Sequence, residues 1–171
     1  MPEFLVLTVI ADDKPGIVEK LSSAIADHDG NWLESRMAQM AGKFAGILRV
    51  SIPPENRKAL ISALSALDVA GVQVRVETPA SADKRNTSHQ LEVSVVGNDR
   101  PGIVREVSKS LATLGVNVLE LSTSCESAEM SAVPLFRSEI LASVPDTVDN
   151  DAISDALEAL SDDLMVEIHA H

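Results

Sequence analysis

LVLTVIADDKPGIVEKLSSAIADHDGNWLE, residues 5–34, and LEVSVVGNDRPGIVREVSKSLATLGVNVLE, residues 91–120, are two versions of one stretch set 86 positions apart. Without a gap, 12 of the 30 aligned pairs are identical, among them Asp13/Asp99, the PGIV run at 15–18 and 101–104, and Asn31/Asn117. Lys14/Arg100 and Ile25/Leu111 are conservative exchanges. Self-similarity at a fixed period marks one supersecondary unit used more than once. The sequence therefore predicts a tandem duplication.

Each copy reads as the same series of elements. Leu91, Val93 and Val95 alternate with Glu92 and Ser94, the period of a half-buried strand, and residues 5–11 are its more apolar counterpart. After the Pro-Gly pair, Ile17, Leu21 and Ile25, and likewise Ile103, Val107, Leu111 and Leu114, follow helical spacing. Pro15 and Pro101 suit a first helical turn, where a missing N–H costs nothing. Second strands are expected at 31–41 and 117–124, third strands at 44–52 and 135–144, each of the latter closed by proline at Pro53 and Pro145. A second helix begins near Pro54, with Leu60, Leu64 and Leu67 on one face; its counterpart near Asp149 carries Ile153, Leu157 and Leu160. The last strands alternate cleanly: Val72, Val74, Val76, then Leu164, Val166, Ile168.

The order β-α-β-β-α-β twice predicts an α+β protein of two ferredoxin-like domains, each an antiparallel sheet with its helices on one face. The domains are expected at 1–79 and 90–171, joined by a linker at 80–89 of polar, small-residue composition. By the third strands the offset between copies has grown from 86 to 92, placing about six extra residues in the stretch 124–134 of the second copy. A longer hairpin loop and a lid over a ligand are both open readings of that insertion.

Composition narrows the function. The chain of 171 residues is 45% hydrophobic but has three Phe, one Trp and no Tyr, so its cores must be aliphatic and a base-stacking surface is not expected. The net charge of −12 is uneven: residues 1–84 contribute −2 and residues 85–171 contribute −10. Such a surface repels a phosphate backbone, which argues against direct nucleic-acid binding. A single cysteine, Cys125, rules out an internal disulfide and fits a reducing compartment. With no secretory pattern at the start and no run long enough to span a bilayer, a cytoplasmic protein without membrane contact is expected. The acidic run 146–167, eight carboxylates and no Lys or Arg, reads as a solvated helix face or as a docking surface for a basic partner.

The motif that carries chemistry sits at the same point of each copy, between first strand and first helix: Asp12-Asp13-Lys14-Pro15-Gly16-Ile17 and Asn98-Asp99-Arg100-Pro101-Gly102-Ile103. A tight turn here presents a helix N-terminus, whose first N–H groups lack internal partners and carry partial positive charge. Glycine lets a ligand approach the backbone closely. An α-carboxylate fits those amides, and Asp12 or Asn98 is placed to accept from its ammonium group. The alternative is that Asp13 and Asp99 satisfy the turn's own amides and glycine only serves its geometry.

The N-D-R-P-G-I-V signature at the head of a βαββαβ unit resembles the ACT domain family, small regulatory modules that bind amino acids. Within that family the tandem arrangement, the chain length and the Pro134-Leu135-Phe136 segment resemble the repressors of the glycine cleavage system. The resemblance spans all but the linker and termini. It implies a small amino acid such as glycine held at an interface between ACT units, with Asp12, Asp13, Pro15, Gly16 and Ile17, and Asn98, Asp99, Pro101, Gly102 and Ile103, in contact and the second-strand residues Asn31 and Asn117 nearby. It also implies side-by-side sheets, a homodimer, and action on a DNA-binding transcriptional activator rather than on DNA. Asp12 departs from the amide-bearing Asn98, so the two sites are expected to differ.

Nothing in the sequence suggests an enzyme. The four His (His28, His89, His169, His171) are scattered, no Cys/His spacing matches a zinc site, and no phosphate-binding glycine loop or cofactor fingerprint is present. Three classes stay open: an amino-acid-responsive transcriptional regulator acting through protein contacts, an amino-acid-binding module regulating an enzyme in trans, and a structural dimer whose loops bind nothing.

Overall fold

The computed structural model describes residues 1–81, 87–127, 130 and 132–171. The chain divides into two compact units, Met1–Ala82 and Asp83–His171. In the first, β1 (Glu3–Asp12), α1 (Ile17–Ala26), β2 (Asn31–Met40), β3 (Lys43–Ile52), α2 (Arg57–Ala66) and β4 (Val72–Glu77) follow in order. In the second, β5 (Ser88–Asn98), α3 (Ile103–Thr113), β6 (Asn117–Glu126), β7 (Leu135–Pro145), α4 (Asn150–Glu158) and β8 (Met165–Ala170) repeat it. Both sheets are fully antiparallel, in the orders β2-β3-β1-β4 and β6-β7-β5-β8. The duplicated ferredoxin-like α+β fold read from the sequence is the fold of the protein.

Period-two patterning decides which face is covered. Leu5, Leu7, Val9 and Ala11 of β1 point inward, where Leu48, Val50 and Ile52 of β3 meet Ile17, Leu21 and Ile25 of α1 and Leu60 and Leu64 of α2. The second unit repeats this with Leu91, Val93 and Val95, Ile140, Ala142 and Val144, then Ile103, Val107 and Leu111, and Ile153 and Leu157. Phe136 is the one aromatic side chain among the buried core residues described. Both edge strands carry a bulge at the same place, between Trp32 and Glu34 and between Val118 and Glu120. It leaves Leu33 and Leu119 unpaired and exposed.

Several boundaries differ from the sequence reading, each for a local reason. Pro15 and Pro101 do not lie in the first helical turn. The N-cap residues are Gly16 and Gly102, at φ 94° and 88°, so the chain makes a left-handed step after proline before the helix starts. In the first unit a 3₁₀ turn at Pro54–Asn56 precedes α2, whereas in the second Asp149 caps α4 by accepting a hydrogen bond from the Ala152 N–H at 2.8 Å. β5 begins at Ser88, inside the expected linker, of which 82–86 lie outside the described residues. Two residues join β2 to β3, whereas eight join β6 to β7. The insertion thus falls in the expected hairpin, where 128, 129 and 131 lie outside the described residues.

Candidate functional site

The two loops between first strand and first helix are held open by the same backbone geometry. At the end of β1, the Asp13 N–H donates to the Gly42 carbonyl in the β2–β3 turn at 2.9 Å; at the end of β5, the Asp99 N–H donates to the Pro134 carbonyl at 2.8 Å. The chain then turns through Pro-Gly. The first intrahelical bonds run from Lys20 N–H to the Gly16 carbonyl and from Glu106 N–H to the Gly102 carbonyl, each 3.0 Å. The amides of residues 17–19 and 103–105 come before those bonds, and no side chain of the N-cap residue serves them, although in the second unit the Ile103 N–H donates to the Arg100 carbonyl at 3.3 Å. Ile17 and Ile103, counted among the candidate contacts, are core residues that anchor these helix ends, and their side chains face inward.

Around this shared frame the two loops differ in charge. In the first unit Asp12 is engaged in an ion pair with Lys43 across the strand. The Lys43 ammonium, through its hydrogen bond and its charge, holds the Asp12 carboxyl below its ordinary value. The Asp13 carboxylate is exposed and makes no hydrogen bond to the turn among the described residues. Lys14 and Lys20 stand close to the glycines of this corner: a Cβ at Gly71 would lie 3.7 Å from Lys14 Nζ, and one at Gly16 3.4 Å from Lys20 Nζ. Neither lysine forms an ion pair with a carboxylate among the described residues, although the Lys14 charge adds to the lowering of Asp12.

In the second unit the position of Lys20 is taken by Glu106, and that exchange closes the corner. Arg100 Nη2 donates to Glu106 Oε2 at 2.5 Å, with both side chains about one-third exposed. Each holds the other charged: Glu106 is lowered and Arg100 raised, first of all by their hydrogen bond. Asp163, in the connection ahead of β8, accepts from the Asn98 N–H at 2.7 Å and is lowered by its bonds with Ser161 and Asn98. Gly71 holds the position of Asp163 in the first unit, since Val72 and Leu164 are the equivalent buried residues at the start of each last strand. Asp99 is partly buried and next to Cys125, whose thiol is pushed up by desolvation first and by the Asp99 carboxylate second. These partners were not singled out in the sequence, although the Lys20/Glu106 charge reversal is visible at equivalent positions of the repeat.

The structure does not bring Asn31 and Asn117 to the loops of their own units. Asn31 pairs with Ser51 and Asn117 with Ser143, at the far end of each sheet from Asp12 and Asn98. The eight residue steps along β3 from Ser51 to Lys43 correspond to a separation of about 27 Å. Hollows among the described residues lie elsewhere, including 320 Å³ around Glu92, Glu120 and Glu139, 410 Å³ between α3 and α4, 380 Å³ around Thr8, Ile10 and Arg75, and a 20 Å³ apolar cleft between α3 and β6.

No group of three or more His, Cys, Asp or Glu among the described residues is arranged to hold a metal ion, and no helix is long and apolar enough to cross a membrane.

Comparison with known proteins places the chain. Residues 3–77 match the family model of the ACT domain. No curated protein sequence matches the chain. Among solved structures, a protein of unknown function from Galdieria sulphuraria is similar over 100% of this chain and 99% of its own, with 27% identity and a TM-score of 0.82. A candidate glycine cleavage system transcriptional repressor is similar over the same shares, with 18% identity and a TM-score of 0.70. Residues 3–77 are thus similar to the ACT domain family, and the chain as a whole carries the ACT-like fold twice.

Proposed function

We propose that this tandem ACT protein is an amino-acid-responsive transcriptional regulator that has no DNA-binding element of its own, carries out no catalysis, and acts through protein contacts in the manner of glycine cleavage repressors. The observation that carries the reading is the pair of helix N-termini, started by left-handed glycines, whose leading amides lack intrahelical partners beside an acidic residue, with only the Ile103 N–H of the second turned back to the Arg100 carbonyl. An α-carboxylate meets those amides and the dipole. In the first unit Lys14 and Lys20 add to the attraction, and Asp13 rather than the engaged Asp12 accepts from the ammonium group. In the second unit Asn98, Asp99, Pro101 and Gly102 form the same wall, but Arg100 is already committed to Glu106. The first unit therefore fills first.

Asn31 and Asn117 enter this reading through a neighbour. An ACT unit running antiparallel alongside an edge strand brings the start of its own edge strand to the loop end of the other. That supplies the missing wall and makes a homodimer the working form. The partner regulated is a DNA-binding activator protein, since a chain of net charge −12 is repelled by DNA itself.

Titration calorimetry with a panel of amino acids tests the reading. A small amino acid such as glycine is expected to bind at about one per chain, with the Lys20→Glu variant weakened about tenfold. The absence of heat and of a thermal shift with every member of the panel leaves a structural dimer instead. Pull-down from native lysate with and without the bound amino acid then separates the two regulatory classes, returning a DNA-binding protein on this reading and a metabolic enzyme on the other.

A further inference from the structure

The two helix pairs have diverged on the side turned to solvent. Leu60 and Leu64 of α2 and Ile153 and Leu157 of α4 are the buried positions that align the second helices. On that alignment Lys58, Ser62 and Ser65 of the first unit correspond to Asp151, Asp155 and Glu158 of the second. All three carboxylates are exposed, and none makes an ion pair among the described residues. Spaced i, i+4 and i+7, they form one row along α4. The row works against the helix that carries it. Like charges one turn apart repel, and Glu158 stands at the negative end of the helix dipole with no basic residue in the last turn. The first unit shows that the fold does not require such a row. Next to it lies the hollow of 410 Å³ between α3 and α4, since Asp155 adjoins Ala156, about 100° round the helix. Leu114 and Leu160, partly buried against the core, give this groove an apolar floor, and Ser110 and Ala156 line it with small side chains. Lys109 stands on its α3 side. At the place of Leu114 the first unit has His28, whose Nδ1 lies 2.7 Å from the Ala24 carbonyl oxygen.

We propose that the groove between α3 and α4 of the second unit receives a basic amphipathic helix of a partner protein. This deepens the reading of a regulator that acts through protein contacts, and rests on it, while standing apart from amino-acid binding at the loops. The apolar floor calls for aliphatic side chains at i, i+4 and i+7 of the incoming helix, and the small residues let it approach to about 8–10 Å between axes. The eleven residues of α3 give about 16 Å of groove, or three turns of that helix. The row on α4 calls for Lys or Arg along one flank, repeated once per turn. Charge selects this occupant. An acidic helix is repelled by the row, and a nucleic acid by the net charge of −12 as well. A wholly apolar segment strips water from carboxylates that it cannot pair. A second copy of this groove brings the same excess, with Asp151, Asp155 and Glu158 against Lys109.

Fluorescence anisotropy on the full chain tests this with a labelled synthetic peptide of about 14 residues, Leu on one helical face and Lys on the other. One comparison peptide carries Glu for every Lys, and another has the same residues shuffled out of period. The Leu/Lys peptide is expected to bind in the micromolar range and to weaken as salt rises. The Glu peptide should not bind, and the shuffled one should bind about tenfold more weakly. The triple variant Asp151→Asn, Asp155→Asn, Glu158→Gln should bind the Leu/Lys peptide about tenfold more weakly than the wild type. The control Glu92→Gln, Glu139→Gln, Glu167→Gln removes as much charge from the sheet of the same unit and should change binding by no more than about twofold. Far-UV circular dichroism checks that both variants fold. Equal weakening in the two variants, or equal binding of the shuffled peptide, means attraction by net charge alone and overturns the proposal, as does a wild type that binds no peptide. Sedimentation velocity without peptide covers the remaining occupant: a wild type that dimerises beside a triple variant that does not assigns the groove to a second copy and overturns it too. Amino-acid calorimetry on the same samples keeps the two failures apart, since heat without peptide binding removes the groove alone, and peptide binding without heat removes the loop sites alone.

Discussion

Gly16 and Gly42 give a matched pair of perturbations that separates stability from binding. Both have left-handed φ, 94° and 80°, and both lie at the same end of the first sheet. A Cβ at Gly42 meets nothing within 4 Å; one at Gly16 meets only Lys20 Nζ at 3.4 Å and Glu19 Oε2 at 3.7 Å, the movable tips of flexible side chains. Neither substitution by alanine creates a clash, so each carries the backbone cost alone, about 1–2 kcal/mol for an L-residue held in that region. In a domain of this size that lowers the Tm of the first unit by roughly 4–16 °C. The two variants should therefore melt alike by differential scanning calorimetry. They should bind differently, because only the Gly16 methyl group stands in the approach to the amides of residues 17–19, and Gly16→Ala is expected to weaken amino-acid binding about tenfold or more. The reasoning is refuted if Gly16→Ala costs several kcal/mol more than Gly42→Ala, which means a closed loop, or if both variants bind equally well.

Asp149→Ala removes the one cap of α4 and should cost about 1 kcal/mol, read as a lower denaturation midpoint of the second unit with the first unchanged. Leu7→Ala empties a site that is 0% exposed at the centre of the first core and should cost about 2–5 kcal/mol by denaturant unfolding, with the second unit as internal reference. Stability should also fall in acid. Asp12, Glu106, Asp146 and Asp163 all have folded values below their ordinary ones, each held down first by a hydrogen-bonded partner, Lys43, Arg100, His89 and Ser161 respectively. A lowered carboxylate adds stability above its unfolded pKa and loses it as pH falls through the folded value. The loss is therefore expected to begin near the ordinary values of 4.5 and 3.8 and to continue below them. Glu106→Gln, which keeps the shape but not the charge, should flatten the part of the curve that belongs to the second unit.

The repeat made the fold legible because buried positions are set by period. Leu5, Leu7 and Val9 with Leu91, Val93 and Val95 could only be inward-facing strand residues, and Ile17, Leu21 and Ile25 only one stripe of a helix. The motif loops were legible for the same reason, as the one polar stretch that both copies share. What the sequence did not reveal is which charges meet. Asp12 finds Lys43 only because β1 and β3 pair in that register, and Asn98 finds Asp163 only because β8 starts beside β5. Such encounters depend on contacts 31 and 65 residues apart, for which local spacing carries no signal. Asn31 and Asn117 illustrate the reverse: sharing a repeat with the loop says nothing about lying near it, and one strand length separates them.

Asp163 and its empty counterpart Gly71 set how fast the two loops breathe. In the second unit, lifting the start of the loop breaks a charge-assisted bond from the Asn98 amide and exposes the Arg100–Glu106 pair. In the first, no side chain at Gly71 restrains the equivalent segment. Amide protons of residues 12–14 and 16 should consequently trade with deuterium sooner than those of 98–100 and 102, so that within one chain a supple corner and a stapled one answer the same solvent on separate clocks.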